Sequence, residues 1–173
     1  SGMIALIVDI IGVITGTIFV LIVTRKLSPE ELGLWTLINS YVTYVFVIDP
    51  IVSYWSTRQA ARGESVGKTV MYIAGLFSIF GIIAYLIISI FMSNSFNIDF
   101  SVLLLATALV PLMFLHGALS GLANGIKPHS EQYGIIAFEL TKIPLGYFFV
   151  VFSQLGIYGA LLTVIVSNTV RVT

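Results

Sequence analysis

The stretch MIALIVDIIGVITGTIFVLIVT, residues 3–24, decides the fold class of this chain. It holds 22 residues and one charged side chain, Asp9. A helix needs about 20 apolar residues to cross the hydrocarbon core of a bilayer. Arg25 and Lys26 follow it directly, and it lacks the basic start and small-residue cleavage site of a removable signal peptide. We therefore expect a retained helix that spans a membrane.

Similar apolar stretches fill nearly all of the 173 residues. Hydrophobic residues make up 58% of the chain and charged residues 9%, whereas soluble domains carry about 25% charge. The sequence therefore predicts an all-α fold, a polytopic transmembrane helical bundle of about six spans in a single domain. The predicted spans cover residues 3–24, 32–55, 69–92, 100–124, 133–152 and 155–170. The last of them is the shortest and ends before Arg171.

Lysine and arginine are distributed unevenly between alternate connectors. One side of the membrane receives five of these residues, and the other side receives Arg25 and Lys26 only. The five are Arg58, Arg62, Lys68, Lys127 and Arg171. Basic residues concentrate on the cytoplasmic side of membrane proteins. We therefore expect a multi-pass protein of the cytoplasmic membrane whose N-terminus lies inside the cell.

Several function classes receive no support from the sequence. The connectors are too short to hold a catalytic domain, and the motifs of hydrolases, nucleotide-binding proteins and zinc proteases are missing. Cysteine is absent, and the two histidines are distant in sequence, so we expect no metal site and no cofactor. The formal net charge of zero gives no reason to expect nucleic-acid binding. We expect a protein that is not an enzyme.

The sequence of the first connector predicts the start of a helix. Ser28 has the preferred type for an N-cap, Pro29 occupies the first helical position, and Glu30 and Glu31 lie in the first turn. Ser28 and Glu31 also have the spacing of a capping box, in which each residue binds the backbone N–H of the other. The second helix is therefore predicted to begin at this point.

Glu139 and Lys142 are ionisable residues within the fifth predicted span. Ionisable groups are costly in hydrocarbon and face a bundle interior or a wet cavity. Their spacing of three places them on one helix face, close enough to pair. Two interpretations stay open: a neutralised structural pair, or a site that contacts substrate or a coupling ion. Pro144 on the same helix removes a backbone hydrogen bond and predicts a kink near Leu140.

Three further polar residues lie inside predicted spans. Asp49 precedes Pro50 late in the second span; it could titrate, hold a cation, pair with Arg58 or reach the membrane interface. Asp9 is near the start of the first span, where it could cap or be solvated. His116 lies midway along the fourth span and could bond to a neighbouring helix or serve as a ligand or proton carrier.

Glycines repeat every four residues in the fourth span, at Gly117, Gly121 and Gly125. Residues four apart share a helix face, so these glycines form a ridge without side chains. Small residues in this arrangement allow the backbones of two membrane helices to approach closely. The ridge therefore predicts close helix packing and by itself indicates no particular function.

The run TRKLSPEELGLW, residues 24–35, resembles the signature of polysaccharide flippases of the Wzx type. These belong to the multidrug/oligosaccharidyl-lipid/polysaccharide exporter superfamily, in which the first helix typically ends in Arg-x-Leu-Ser/Gly-Pro-Glu-Glu-hydrophobic-Gly. Asp49 with TRQAAR, residues 57–62, is similar to the family's basic segment after the second helix, although Pro50 stands where small residues are usual. LGIYGAL, residues 155–161, is similar to the Gly-x-x-Gly-Ala opening of the sixth helix.

The resemblance implies a transporter that moves lipid-linked oligosaccharide or polysaccharide precursors by alternating access between two six-helix lobes. This chain would be the N-terminal lobe and would need a second lobe or a second copy. Its partners would be the bilayer and an anionic lipid-linked sugar. The candidate substrate or coupling residues are Arg25, Asp49, Arg58, Glu139 and Lys142. A cation-coupled multidrug exporter of the same superfamily and a non-transporting assembly subunit are the alternatives.

Overall fold

The computed structural model describes residues 2–96 and 98–172, which fold into helices without any strand in those ranges. The α-helices are α1 (Gly2–Lys26), α2 (Pro29–Val45), α3 (Asp49–Ala61), α4 (Gly67–Phe96), α5 (Phe100–Ala106), α6 (Leu109–Ile126), α7 (Pro128–Gly146) and α8 (Gly156–Val172). A 3₁₀ turn, Phe46–Ile48, joins α2 to α3, and a π-helical segment, Tyr147–Phe152, follows α7. The predicted all-α fold is confirmed.

Five helical segments are long and apolar enough to cross a membrane. They are Leu6–Lys26, Pro29–Ala61, Gly67–Phe96, Phe100–Ile126 and Pro128–Phe152. The sixth, α8, is apolar but has only 17 residues, about 25 Å of helix against a hydrocarbon core of about 30 Å. The arrangement agrees with a helical membrane bundle whose last span is short, as its sequence indicates.

Two of the predicted spans are interrupted rather than continuous, and both interruptions precede a proline. The 3₁₀ turn Phe46–Ile48 comes just before Pro50, and the break between α5 and α6 at Thr107 and Ala108 comes just before Pro111. A proline has no N–H to donate, and its ring clashes with the carbonyl four residues earlier. The backbone therefore tightens or breaks in the turn before each ring.

The fifth span carries its irregularity after its proline. Pro144 is accommodated inside α7, and the helix changes to π-helical geometry at Tyr147. Such π segments are rare and appear where a helix must absorb a disturbed hydrogen-bond ladder. The kink expected near Leu140 stays a prediction, since the recorded change of geometry begins further along the chain.

The helix start in the first connector is confirmed as a capping box. The backbone N–H of Glu31 donates to the Ser28 hydroxyl over 3.2 Å, and the backbone N–H of Ser28 donates to Oε2 of Glu31 over 2.9 Å. Pro29 opens α2. Two backbone donors that the helix cannot satisfy internally are thus bonded.

The helices divide into two compact units. Unit 1 comprises residues 1–36 and 128–173, and unit 2 comprises residues 37–127. Helices of one membrane domain can group in this way, so the division leaves the prediction of a single transmembrane domain untested.

In unit 1, α7 lies between α1 and α8. A methyl group at Gly12 would lie 3.8 Å from Oε1 of Glu139, and one at Gly146 would lie 3.0 Å from the Phe19 ring. The residue numbers of the contacting positions rise together along the two helices, so α1 and α7 run parallel. A methyl group at Gly134 would lie 3.1 Å from the carbonyl oxygen of Arg171, whereas one at Gly146 would lie 3.7 Å from Thr163. α8 is therefore antiparallel to α7, as expected for successive spans.

Candidate functional site

Glu139 and Lys142 form a buried ion pair on α7. The ammonium nitrogen of Lys142 lies 2.5 Å from Oε2 of Glu139, and the residues are 6% and 7% exposed respectively. The predicted pairing is confirmed, because a spacing of three puts both side chains on one face of the helix. Whether the pair is structural or contacts substrate is a separate question, which depends on what surrounds it.

Glu139 also connects α7 to α1. The Thr15 hydroxyl of α1 bonds to Oε2 of Glu139, the same oxygen that Lys142 contacts. Gly12, one turn earlier on α1, leaves space beside the other carboxylate oxygen. The carboxylate therefore lies against α1 beside Gly12 and Thr15, and it accepts bonds from Thr15 of α1 and Lys142 of α7.

The ring of Phe138 contacts both Lys142 and a second cation, Arg171. Nζ of Lys142 lies 4.8 Å from the centroid of the Phe138 ring, and the guanidinium carbon of Arg171, on α8, lies 5.7 Å from it. Both distances fall within the range of a cation–π contact. Arg171 also interacts electrostatically with Glu131 and Glu139. Unit 1 thus contains a charged cluster, defined as Thr15, Glu131, Phe138, Glu139, Lys142 and Arg171.

The face of α8 that packs against α7 continues this polar character. Thr163, Ser167 and Arg171 recur every four residues, so they share one face, and both ends of this row lie against α7. Ser167 is fully buried. Within the described part of the chain, its hydroxyl and Nε of Arg171 are buried without a hydrogen-bond partner. Buried polar groups normally form hydrogen bonds. This face of α8 therefore carries two hydrogen-bond donors without an acceptor in the described residues.

The charged cluster is balanced, with two carboxylates and two cations. Each charge would be costly in hydrocarbon alone, and each offsets the desolvation of another. With partners on α1, α7 and α8, the charges can be rearranged if these helices move. A set of this kind can exchange an internal partner for a charged group of a substrate or for a coupling ion.

Asp49 lies in unit 2 at the first position of α3 and is 7% exposed. Its carboxylate occupies the space above Gly117 of α6, where the methyl group of an alanine would overlap it. Arg58 is exposed in the last turn of α3. Across residues 2–96 and 98–172 the two form no ion pair, since nine residues of helix separate them by about 14 Å. The pairing alternative for Asp49 is therefore wrong.

The remaining sequence candidates are dispersed. Arg25 is exposed in the last turn of α1, ten residues beyond Thr15, and Asp9 is exposed on the same helix. His116 is partly buried on α6. Of the five candidate residues, the structure brings together only Glu139 and Lys142.

Sequence reasoning missed four members of the charged cluster, and Glu131 is one of them. Arg171 was interpreted only as a basic residue flanking the last span, and Thr15 and Phe138 were not singled out. One signal was available: Phe138 precedes Lys142 by four residues, the spacing of side chains on one helix face. No comparable signal links Thr15 or Arg171 to Glu139, because they lie on different helices.

The glycine ridge of α6 confirms its packing prediction. A methyl group at Gly121 would lie 2.9 Å from the carbonyl oxygen of Ser53, and one at Gly125 would lie 2.6 Å from that of Thr57. The Thr57 hydroxyl donates to the carbonyl oxygen of Gly121 over 2.9 Å. α3 and α6 therefore pack backbone to backbone, as small residues allow in membranes.

Two of the segments that carry the family resemblance meet in unit 1. Oε1 of Glu31 accepts a hydrogen bond from the backbone N–H of Ile157 over 3.1 Å. Gly156 has a φ of +56° and lies against the same carboxylate, where a side chain would collide with it. Glu31 thus caps its own helix, α2, and the start of α8.

Comparison of the chain with protein-family models, curated proteins and solved structures gives no match. The resemblance to polysaccharide flippases therefore rests on the three residue runs quoted above. In the part of the chain that the structure describes, no group of three or more histidines and carboxylates is placed to hold a metal ion.

Proposed function

We propose that this chain is the N-terminal lobe of a flippase that moves a lipid-linked oligosaccharide or polysaccharide precursor across the cytoplasmic membrane by alternating access. The observation that carries the proposal is the charged cluster inside a unit of membrane-spanning helices. Ionisable residues are rare at such positions and mark the pathways of substrates and ions.

The chemistry of the cluster suits an anionic substrate. Lys142 and Arg171 supply two cations, and Arg171 retains a donor without a partner in the described residues. A phosphate-linked sugar offers acceptor oxygens that such donors bind well. In the empty state, Glu139 and Glu131 neutralise the two cations. Substrate binding would then replace one carboxylate by another anion as the partner of a cation.

The bond between Glu31 and Ile157 adds support from the family resemblance. The Pro-Glu-Glu run and the Gly-x-x-Gly-Ala run are far apart in sequence, yet one carboxylate connects them. A shared structural role, the capping of α8 by Glu31, explains why both runs occur in one chain. This contact fixes the start of α8, the helix that carries Arg171 into the cluster.

Alternating access requires two rigid bodies that rock about a site between them. The spans of this chain would belong to one of the two lobes, so the proposal includes a second lobe or a second copy as partner. We also propose that the N-terminus is cytoplasmic, with the connector at residues 25–31 outside. The five-to-two distribution of lysine and arginine supports this orientation.

A non-transporting assembly subunit is the second candidate. One observation favours it. Glu139 and Lys142 are buried and contact each other directly, and Glu139 is also bonded to Thr15, as in a purely structural link between helices. A cation-coupled exporter of small molecules differs from the first proposal in its substrate and would use the same helices.

Flipping of a fluorescent polyprenyl-linked sugar in proteoliposomes tests the proposal. We expect a protein that contains this chain and the second lobe to flip the probe. Its Lys142→Met variant should flip the probe at least about tenfold more slowly, because one charge-assisted hydrogen bond to the substrate is lost. Lys68→Met is the matched control, because Lys68 is an exposed lysine of unit 2. Flipping by a demonstrated monomer of the 173 residues would overturn the assignment as a lobe. An unaffected Lys142→Met variant would favour the assembly subunit.

Single-cysteine labelling tests the orientation, because the chain has no cysteine of its own. Glu30→Cys and Ser65→Cys place an exposed thiol in each of the first two connectors. We expect an impermeant reagent to label position 30 from outside intact cells and position 65 only after the membrane is opened. The reverse pattern would invert the topology.

A further inference from the structure

A polar cavity of about 310 Å³ lies where α1 ends and α8 begins in unit 1. It is lined by Lys26, Glu31, Val150, Gln154 and Gly156. The first membrane-spanning segment ends at Lys26 and the second begins at Pro29. The cavity therefore lies at the level where the hydrocarbon core meets the polar headgroups.

The charges of this cavity favour an anion. Both oxygens of the Glu31 carboxylate are occupied, one by the backbone N–H of Ser28 and one by that of Ile157. Its negative charge is thus compensated by the backbone donors of two helix starts. Across residues 2–96 and 98–172, the ammonium group of Lys26 has no ion-pair partner. The side-chain amide of Gln154 forms no hydrogen bond in the same ranges and adds a second donor to the lining.

An apolar groove of about 360 Å³ lies between α1 and α2, and its lining residues Thr24 and Leu32 are close along the chain to Lys26 and Glu31 of the polar cavity. Phe19 and Val23 of α1 and Leu32 and Trp35 of α2 contribute its walls, and the Phe19 and Trp35 rings are in edge contact with centroids 6.3 Å apart. Val23 of the groove and Lys26 of the cavity are three residues apart, so they are neighbours on one face of α1. Tryptophan is typical of the membrane interface, and the groove leads from there towards the hydrocarbon.

A polar cavity at headgroup level, with an apolar groove beside it on α1 and α2, fits an amphipathic molecule with a negative head. We propose that this corner of unit 1 binds an anionic glycerophospholipid of the bilayer. Its phosphate contacts Lys26 and Gln154, and one acyl chain lies in the groove beside Trp35. The site is distinct from the charged cluster and does not depend on the proposed transport activity.

Native mass spectrometry of the full chain, titrated with phosphatidylglycerol and phosphatidylcholine, tests the proposal. We expect phosphatidylglycerol to bind more tightly than phosphatidylcholine. Lys26→Gln should weaken the binding of phosphatidylglycerol about tenfold or more, because one charge-assisted hydrogen bond is lost. Trp35→Ala should weaken the binding of both lipids. Lys68→Gln, a matched exposed lysine of unit 2, should bind like the unchanged protein.

A thermal shift provides the second readout. A ligand that binds only the folded state raises the melting temperature, so phosphatidylglycerol should raise that of the unchanged protein and not that of Lys26→Gln. Glycerol 3-phosphate alone should have no effect, because it has no chain for the groove. Equal binding of the two lipids, or an unaffected Lys26→Gln, would overturn the proposal. An unaffected Trp35→Ala would overturn the role of the groove, and stronger binding of a polyprenyl phosphate would assign the site to that carrier instead.

Discussion

Glu139 of unit 1 and Asp49 of unit 2 are both carboxylates inside membrane-spanning segments, and both are 7% exposed. Glu139 is bonded to Lys142 and Thr15 and lies in the field of Arg171. Asp49 lies above a glycine of the neighbouring helix and has no ion pair in the described ranges. Burial alone therefore does not distinguish a charged network from a carboxylate held in a notch between helices.

The helices around the two carboxylates pack by different means. In unit 1, side chains of opposite charge and an aromatic ring link α1, α7 and α8. In unit 2, α3 and α6 approach closely through glycines. Charges have alternative partners, whereas a glycine ridge fits only one arrangement. We therefore expect unit 1 to tolerate a rearrangement of partners and unit 2 to behave as a rigid body.

The largest effect is expected from breaking the ion pair of unit 1. Glu139→Gln leaves the ammonium of Lys142 buried with a weaker partner, and removal of one member of a buried pair costs about 3–5 kcal/mol. Glu139→Gln combined with Lys142→Met should be nearly neutral, because no charge is left unpaired. Unfolding of the purified variants in detergent measures both. Additive losses from the two single changes would show that the two charges do not interact.

Filling the glycine ridge of unit 2 comes next. Gly121→Ala places a methyl group 2.9 Å from a backbone oxygen of Ser53, and overpacking of this kind costs about 1–3 kcal/mol. Gly75→Ala on α4 is the matched control, since a methyl group there meets nothing within 4 Å. The two variants should differ in melting temperature. Equal stability would mean that α3 and α6 are not in close contact.

Removing the double cap of unit 1 should have an intermediate effect. Glu31→Ala deletes the acceptor of the Ser28 and Ile157 backbone donors, and loss of a cap costs about 1 kcal/mol. Glu30→Ala changes the neighbouring exposed glutamate as control. Hydrogen exchange should increase at the first turn of α8 in Glu31→Ala alone. Unchanged exchange at Ile157 in that variant would argue against the contact.

The smallest effect is expected at Asp49. Asp49→Asn keeps the shape that fits above Gly117 and removes a charge that has no cation partner in the described ranges. Because burying an unpaired charge is unfavourable, the change should cost less than about 1 kcal/mol or stabilise the protein. The same unfolding measurement compares it with Glu139→Gln. A larger loss at Asp49 than at Glu139 would reverse the comparison of the two units.

Features that depend on neighbours along one helix could be predicted from the sequence alone. The all-α fold and the membrane spans follow from the length of the apolar stretches. The capping box at Ser28, the pairing of Glu139 with Lys142 and the close packing of the glycine ridge follow from spacings of three and four residues. Such features require no knowledge of where other helices lie.

Contacts between residues of different helices could not be predicted from the sequence and depend on how the helices pack. Thr15 reaches Glu139, Arg171 reaches the ring of Phe138, and Glu31 caps α8. Each contact depends on the rotation of one helix about its axis and on its shift relative to a neighbour. Both are set by packing over the whole unit, and no short spacing in the sequence encodes them. For this reason Arg171 belongs to the charged cluster only once α7 and α8 are packed together.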